Sequence, residues 1–427
     1  MEVKNSALCI FDRPAVQTDF VTNYTKSYFP INTLQTDGPL EFVIEGNSEE
    51  YIDVNDIKLY LQLKITKADG TDLAAGDSCA LINLPIASLF RDVSLHLGTK
   101  QIEGGQMCYP YLGYFNTVMQ FTPEAQASHM QSLGWFKDTA GKFEKFDGTN
   151  VGAKKRADLV ALSKKFELMG PLFLNFFRQN QYLISSTSMR VKLLPSEPEF
   201  AMMGAAGMKL KIAFEEAILY VPRYKLNPSV INGHAEGLKR QNAIYPMHHA
   251  EVITFTIPSG QFSYTKDHLF PDQAPKLLLL SMVENEAFNG VITKNPFNFK
   301  HFDLNKLALY RDGCTVPGPP FQPNFAEKLY LRDYMNTMGV FKYNDTDDTN
   351  GMTPDEWANG FTIYAFDLTA DKEAGASHRQ PLTTKDMRLE LAFAKKLGQS
   401  INVILYCVYD TEIEITDLRD IITHYGR

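Results

Sequence analysis

His301 and Asp303, one residue apart in "KNPFNFKHFDLNKLALYRDG" (294–313), have the types and spacing of a chemical site. An imidazole and a carboxylate so placed, joined by a distant second histidine, make the facial triad that holds Fe(II) in oxygenases. His378 supplies that histidine, with Arg388 ten positions further on. The competing reading is plainer. An apolar alternation follows Asp303 at once, so the carboxylate serves as a strand-entry residue bonding local backbone amides. His378 lies in "KEAGASHRQPL" (372–382), a polar stretch without the stiff elements that a ligand set requires. The strand-entry reading is preferred.

Other clusters resolve the same way. His248, His249 and Glu251 could ligate a metal, but they stand at the start of a strand pattern and read as solvated residues. Lys154-Lys155-Arg156 could be a phosphate or nuclear-import patch; the preferred reading is a solvated face of an insertion. Cys9, Cys79, Cys108, Cys314 and Cys407 are scattered singly, with no C-x-x-C pair and no histidine at a useful spacing. No G-x-S-x-G, Walker A or H-E-x-x-H motif occurs. No catalytic, cofactor-binding or metal residue is therefore expected.

The elements that would position such residues are strands. "LEFVIEG" (40–46), "IKLYLQLKIT" (57–66), "MRVKLL" (189–194) and "MKLKIAFEEAILYV" (208–221) alternate apolar and polar positions. "LFRDVSLHLGTKQIEGG" (89–105) adds a hairpin around Gly98, with Val93, Leu95 and Leu97 on one face. Tyr111, Tyr114, Phe115, Val118 and Met119 then fall at helical spacing, Thr122-Pro123 opens a second helix, and Gly134 ends it. Beyond residue 246, "EVITFTI", "KLLLLSMV", "NKLALYRDG", "GFTIYAFDLT", "DMRLELAFA" and "INVILYCVYDTEIEI" all read as strands. "TDLRDIITHYGR" at the end reads as a helical turn or two.

At 427 residues the chain exceeds the size of one comfortable core. The division expected is an N-terminal arm (1–37) ordered by a neighbour, a first sandwich (38–222) with a helical and loop insertion at about 106–158, a linker (223–246) holding a short helix capped by Ser229, and a second sandwich (247–427). The halves share strand order. "IKLYL" to "KLLLL", "DVSLHLG" to "LALYRDG" and "LEFVI" to "ITFTI" are offset by 213 to 219 residues, while "MRVKL" to "MRLEL" and "LKIAF" to "INVIL" are offset by 198 and 191. A longer insertion in the first half accounts for the drop. "YIDVNDIKLY" against "HFDLNKLALY", offset by 250, is out of order and set aside. The fold class is all-β: two tandem antiparallel eight-stranded jelly rolls.

Bulk properties exclude several functions. Lys and Arg number 42 against 50 Asp and Glu, a net charge of −8, so direct nucleic-acid binding is not expected. The longest apolar run is far shorter than the roughly 20 residues of a membrane span. No basic and apolar leader opens the chain, and the cysteines suit a reducing compartment.

"NPFNFKHFDLNKLALYRDG", "ANGFTIYAFDLT" (358–369), "RLELAF" (388–393) and "INVILYCVYDTEIEI", with "FVIEGNSEEYIDVNDIKLYLQLKITKADG" and "LLPSEPEF" in the first half, resemble the major capsid proteins of Polinton (Maverick) elements and adintoviruses. These are similar in architecture to adenovirus hexon and to virophage capsid proteins. The resemblance implies a double jelly-roll subunit, homotrimeric pseudo-hexameric capsomers in an icosahedral virion, contacts with penton or minor capsid proteins, and no catalytic residues. Short insertions in the second half imply small towers. The alternative is an intracellular jelly-roll Fe(II) oxygenase or a carbohydrate-binding sandwich.

Overall fold

The computed structural model describes residues 16–34, 38–146, 148–270, 273–375, 378–381 and 386–424. Its principal strands fall into two sets of eight. The first set is β1 (Phe20–Tyr28), β2 (Leu40–Ile44), β3 (Lys58–Lys67), β4 (Phe90–Leu97), β5 (Lys100–Glu103), β6 (Phe166–Pro171), β7 (Met189–Pro195) and β8 (Leu210–Leu226). The second is β9 (Ala243–Ile257), β10 (Ser263–Lys266), β11 (Leu277–Glu284), β12 (Leu304–Arg311), β13 (Cys314–Phe321), β14 (Ile363–Asp367), β15 (Met387–Phe393) and β16 (Ile401–Ile415).

Alternation makes these strands. In β3, Leu59, Leu61, Leu63 and Ile65 are buried while Tyr60, Gln62 and Lys64 are only half-buried. β7 does the same with Met189, Val191 and Leu193 inward and Arg190 and Lys192 outward. The first set pairs in the orders β1-β8-β3-β6 and β2-β7-β4-β5; the second pairs β9-β16-β11-β14 and β10-β15-β12-β13. Adding eight to every label converts one sandwich into the other, so the two halves are one antiparallel jelly-roll topology used twice. The equivalences drawn from sequence hold for β3 with β11, β4 with β12, β7 with β15 and β8 with β16. "LEFVI" with "ITFTI" does not: β2 corresponds to β10, and "ITFTI" belongs to β9.

The offset between equivalent strand starts falls from 214 (Phe90 to Leu304) to 198 (Met189 to Met387). The segment between β5 and β6 is the cause. It holds α1 (Tyr109–Gln120) and α2 (Val151–Val160), and it is longer than the corresponding segment between β13 and β14. Thr122 caps the short helix that Pro123 opens, accepting from the Ala125 N–H at 3.3 Å, and Gly134 closes the following turn at φ +76°.

Three expectations are corrected. The arm is not left to a neighbour along its whole length: β1 pairs within the chain, Asn23 opposite Tyr224 and Lys26 opposite Val221. Eight of its nine residues are exposed, so no inward apolar period betrayed it. Helix α3 (Pro228–Leu238) is capped by Asn227, whose side chain accepts from the Ser229 N–H at 3.0 Å. Proline belongs at the first helical position, which moves the cap one residue before Pro228. The C-terminal segment is not helical; Ile421–Thr423 is a strand beside Ile413–Ile415, favoured by its β-branched residues. Residues 1–15, 35–37 and 425–427 lie outside the described residues.

Candidate functional site

His301 and Asp303 stand at the turn into β12, where Phe302 and Asp303 adopt φ of +48° and +51°. The Asp303 N–H donates to His301 Nδ1 at 2.9 Å, consuming the ring nitrogen in the turn itself. The His301 ring lies flat on Phe325 with centroids 3.9 Å apart, and burial lowers its pKa. Asp303 Oδ2 meets Lys395 at 3.0 Å. His378 keeps other company: its Nε2 is 2.7 Å from Asp371 Oδ2 and 3.0 Å from the Gln380 amide. Arg388 lies over the Tyr310 ring, 4.4 Å from its centroid. The iron-triad reading fails on geometry, because each member is engaged by a different local partner.

The His248-His249-x-Glu251 cluster is split by strand alternation. These residues lie in β9, so His248 shares a face with its cross-strand partner Asp410, while His249 and Glu251 face the side of Tyr409 and Cys407. His248 Nδ1, Lys276 Nζ and Asp410 Oδ1 lie within 2.9 Å of one another. Burial opposes the Asp410 charge, but the hydrogen bonds from His248 and Lys276 hold the carboxyl well below its usual range. Burial drives His249 down to about 4. Cys79 and Cys108 are buried and pushed up to about 11, which removes thiolate character; Cys9 lies outside the described residues.

Among the described residues the metal-type grouping that does converge was not singled out in the sequence. Glu412, Glu414 and His424 bring ligand atoms within 4.8 Å, with the carboxylates also bonded by Arg379 and Asn242. Strand alternation puts Glu412 and Glu414 on one face, and that much was readable.

What the site-like stretch 294–313 builds, with Phe288 just before it, is a junction. Phe297 stacks on Tyr114 at 4.0 Å and 12°, Phe299 on Phe115 at 5.2 Å and 15°, and Phe288 on Tyr111 at 5.6 Å and 14°. Helix α1 of the first half is thereby wedged against the second sandwich, where Phe115 also meets Tyr406 of β16. Lys300 reaches Glu284 at 2.5 Å and Lys294 reaches it at 2.9 Å; both also approach Glu144 of the first-half insertion. Burial opposes the Glu284 charge, and the two lysines hold its pKa at about 2. A second polar bridge is Glu103, which accepts from the N–H groups of Asn175 and Phe176 at 2.8 and 2.6 Å while the Asn175 amide donates to the Ala250 carbonyl at 3.2 Å. Burial raises Glu103 to about 7.

Arg156 corrects the solvated-face reading of Lys154-Lys155-Arg156, which holds for the two lysines alone. It is fully buried, and its guanidinium donates to the Leu81 carbonyl (2.8 Å), the Phe136 carbonyl (2.5 Å) and Asp138 (2.6 Å). Among the described residues no helix is long and apolar enough to cross a membrane.

No family model matches the chain. It is 25% identical over 356 residues to the uncharacterized protein F54H12.2 of Caenorhabditis elegans, covering 79% of this chain and 82% of that one. A chain from the Sputnik virophage structure aligns with 100% of this chain and 92% of its own, at a TM-score of 0.65 and 12% identity. A chain of the PBCV-1 virus capsid covers 98% and 100%, at 0.60 and 10%. The mavirus major capsid protein covers 99% and 93%, at 0.53 and 9%. The shared property is the fold, the double jelly roll of viral major capsid proteins.

Proposed function

We propose that this chain is the major capsid protein of an icosahedral DNA virus or of a virus-like transposon of the Polinton (Maverick) and adintovirus kind, with three copies closing into a pseudo-hexameric capsomer. The repeat carries the reading. Two sandwiches of identical strand order occupy one chain, and a chain of the Sputnik virophage and one of the PBCV-1 capsid match it over nearly its whole length. A ring of three such subunits presents six near-equivalent edges, which is the requirement for hexagonal tiling.

The role is structural rather than catalytic. The imidazoles and carboxylates that suggested chemistry are held by backbone, lysine and aromatic neighbours. Obligate assemblies bury more than about 2,000 Å², much of it apolar. Val21, Tyr24, Phe29 and Ile31 at one edge, and Leu329, Leu331 and Met335 on the insertion after β13, expose surface of that kind. A net charge of −8 suits a wall in the virion better than a protein that wraps genome. Its partners are then copies of itself, followed by penton or minor capsid proteins. Sedimentation and negative-stain microscopy of the purified chain decide the matter. A particle of three 48.3 kDa chains with a hexagonal outline is expected; a monomer at every concentration would remove the reading.

A further inference from the structure

A cleft of about 850 Å³ lies between the two sandwiches, walled by the Asn175–Gln181 segment on one side and by β9, β16 and residues 340–342 and 372–375 on the other. Its walls carry five Lys and Arg side chains against two carboxylates, in a chain that is acidic overall. Three of those cations are neutralised locally: Lys276 by Asp410 at 2.7 Å, Lys342 by Glu373 at 2.5 Å and Arg379 by Glu412 at 2.5 Å. Among the described residues Lys372 reaches the Asp367 carbonyl, at 2.8 Å, and no carboxylate. Arg178 is exposed in the cleft over the Phe173 ring, 5.4 Å from its centroid, and among the described residues it forms no hydrogen bond or ion pair. Its side chain still has surface open to the cleft, but the guanidinium is largely enclosed: burial lowers its pKa, and Tyr406, Tyr109 and Glu103 favour its charge from behind.

The complementary charge adjoins the cleft wall, directly after the lining residues 340–342. Asp345, Asp347 and Asp348 in the segment 344–349 are exposed, and among the described residues none has an ion-pair partner. The segment begins two residues after Lys342 and is tethered at both ends to α1: the Tyr343 hydroxyl donates to the Met119 carbonyl, and the Asn350 amide meets the Met119 sulfur at 3.9 Å. It is a fixed acidic projection at the rim of a cationic cleft.

We propose that the acidic segment 344–349 of one copy enters the Arg178 cleft of a second copy, and that the contact is reciprocal. A projection adjoining its own receptor is self-complementary, so the natural symmetry is two-fold. A three-membered ring needs unlike faces, so this contact joins one capsomer to the next. The inference rests on the reading of the chain as a shell subunit. Opposite charges across such an interface set register and make association salt-dependent.

Sedimentation velocity of the full chain at low and high salt tests it. Association beyond the ring is expected at low salt and is lost at high salt. Asp345→Asn, Asp347→Asn and Asp348→Asn together, or Arg178→Gln alone, should each weaken it about tenfold with an unchanged thermal midpoint. Because the contact is reciprocal, a single chain carrying Arg178→Glu with Asp347→Lys and Asp348→Lys should associate again. Association that ignores salt, survives both neutralisations or is absent from the wild-type chain overturns the inference. The mass of the ring is read in the same runs, so rings with unaltered further growth sink this contact alone. If no rings form, the capsomer reading falls, and a salt-sensitive dimer still decides for or against the contact.

Discussion

Arg156 shows what a local charge run conceals. Lys154 and Lys155 are solvated, as the sequence suggests, but residues 152, 156 and 160 fall four apart on one face of α2 and all three are buried. The period was there to read; the basic neighbours masked it. Its partner Asp138 is buried too, so Arg156→Met would strand a carboxylate and is expected to cost about 3–5 kcal/mol in urea denaturation. Lys154→Met should stay within about 0.5 kcal/mol. Glu103 gives a prediction in pH. Its folded-state pKa of about 7 lies above the ordinary 4.5, so the native state holds the proton more tightly. That stabilisation is complete below about pH 4.5 and is lost as pH rises through about 7. Glu103→Gln should flatten the decline over this window in denaturation curves taken against pH; an unaltered profile would place the pH dependence elsewhere. That a strand begins after Asp303 was legible from the apolar alternation behind it. Its carboxylate, however, pairs with Lys395 rather than with local backbone amides, and His301 Nδ1 accepts the N–H of the turn instead. The stacking of His301 on Phe325 was not legible, because Phe325 is brought there by the insertion after β13 and no local period connects the two.

Among the elements, α1 was legible as a helix but not as a wedge. Ten of its twelve residues are buried, so it lacks the single polar face of a surface helix. That pattern fits a helix enclosed on all sides, and what encloses it is the second sandwich, nearly two hundred residues away in sequence. Gly113 faces the first half, where the packing is also close. A Cβ there would lie 2.9 Å from Ala87 Cβ and 3.2 Å from the Phe173 ring. Helix propensity alone makes Gly113→Ala stabilising by about 1 kcal/mol. The close packing reverses the sign, and destabilisation of about 1–3 kcal/mol is expected instead. A raised denaturation midpoint would show that the helix has room to shift. The caps divide for a similar reason: Thr122 and Gly134 are read from their own neighbours, while the choice between Ser229 and Asn227 turns on giving Pro228 its proper place.

At the scale of the molecule, strand order survived the loss of sequence identity between the halves because topology constrains pattern and not residue type. Four of the five strand equivalences could be drawn from alternating apolar segments, and the fifth slipped because β10 has only four residues and little inward apolar character. The same reasoning governs the chain's start. β1 carries almost no buried side chain, so its contribution is the ladder it forms along β8, the seventeen-residue strand that would otherwise end the sheet. A long bare edge invites pairing with other chains. Deletion of the residues up to and including Tyr28 should therefore remove the ladder from β8, lower the thermal midpoint and send the protein into aggregates on size exclusion. If that truncated protein stayed soluble and equally stable, the β1 edge would be dispensable to the sandwich, and its exposed Val21 and Tyr24 would have to be explained by contacts with other chains alone.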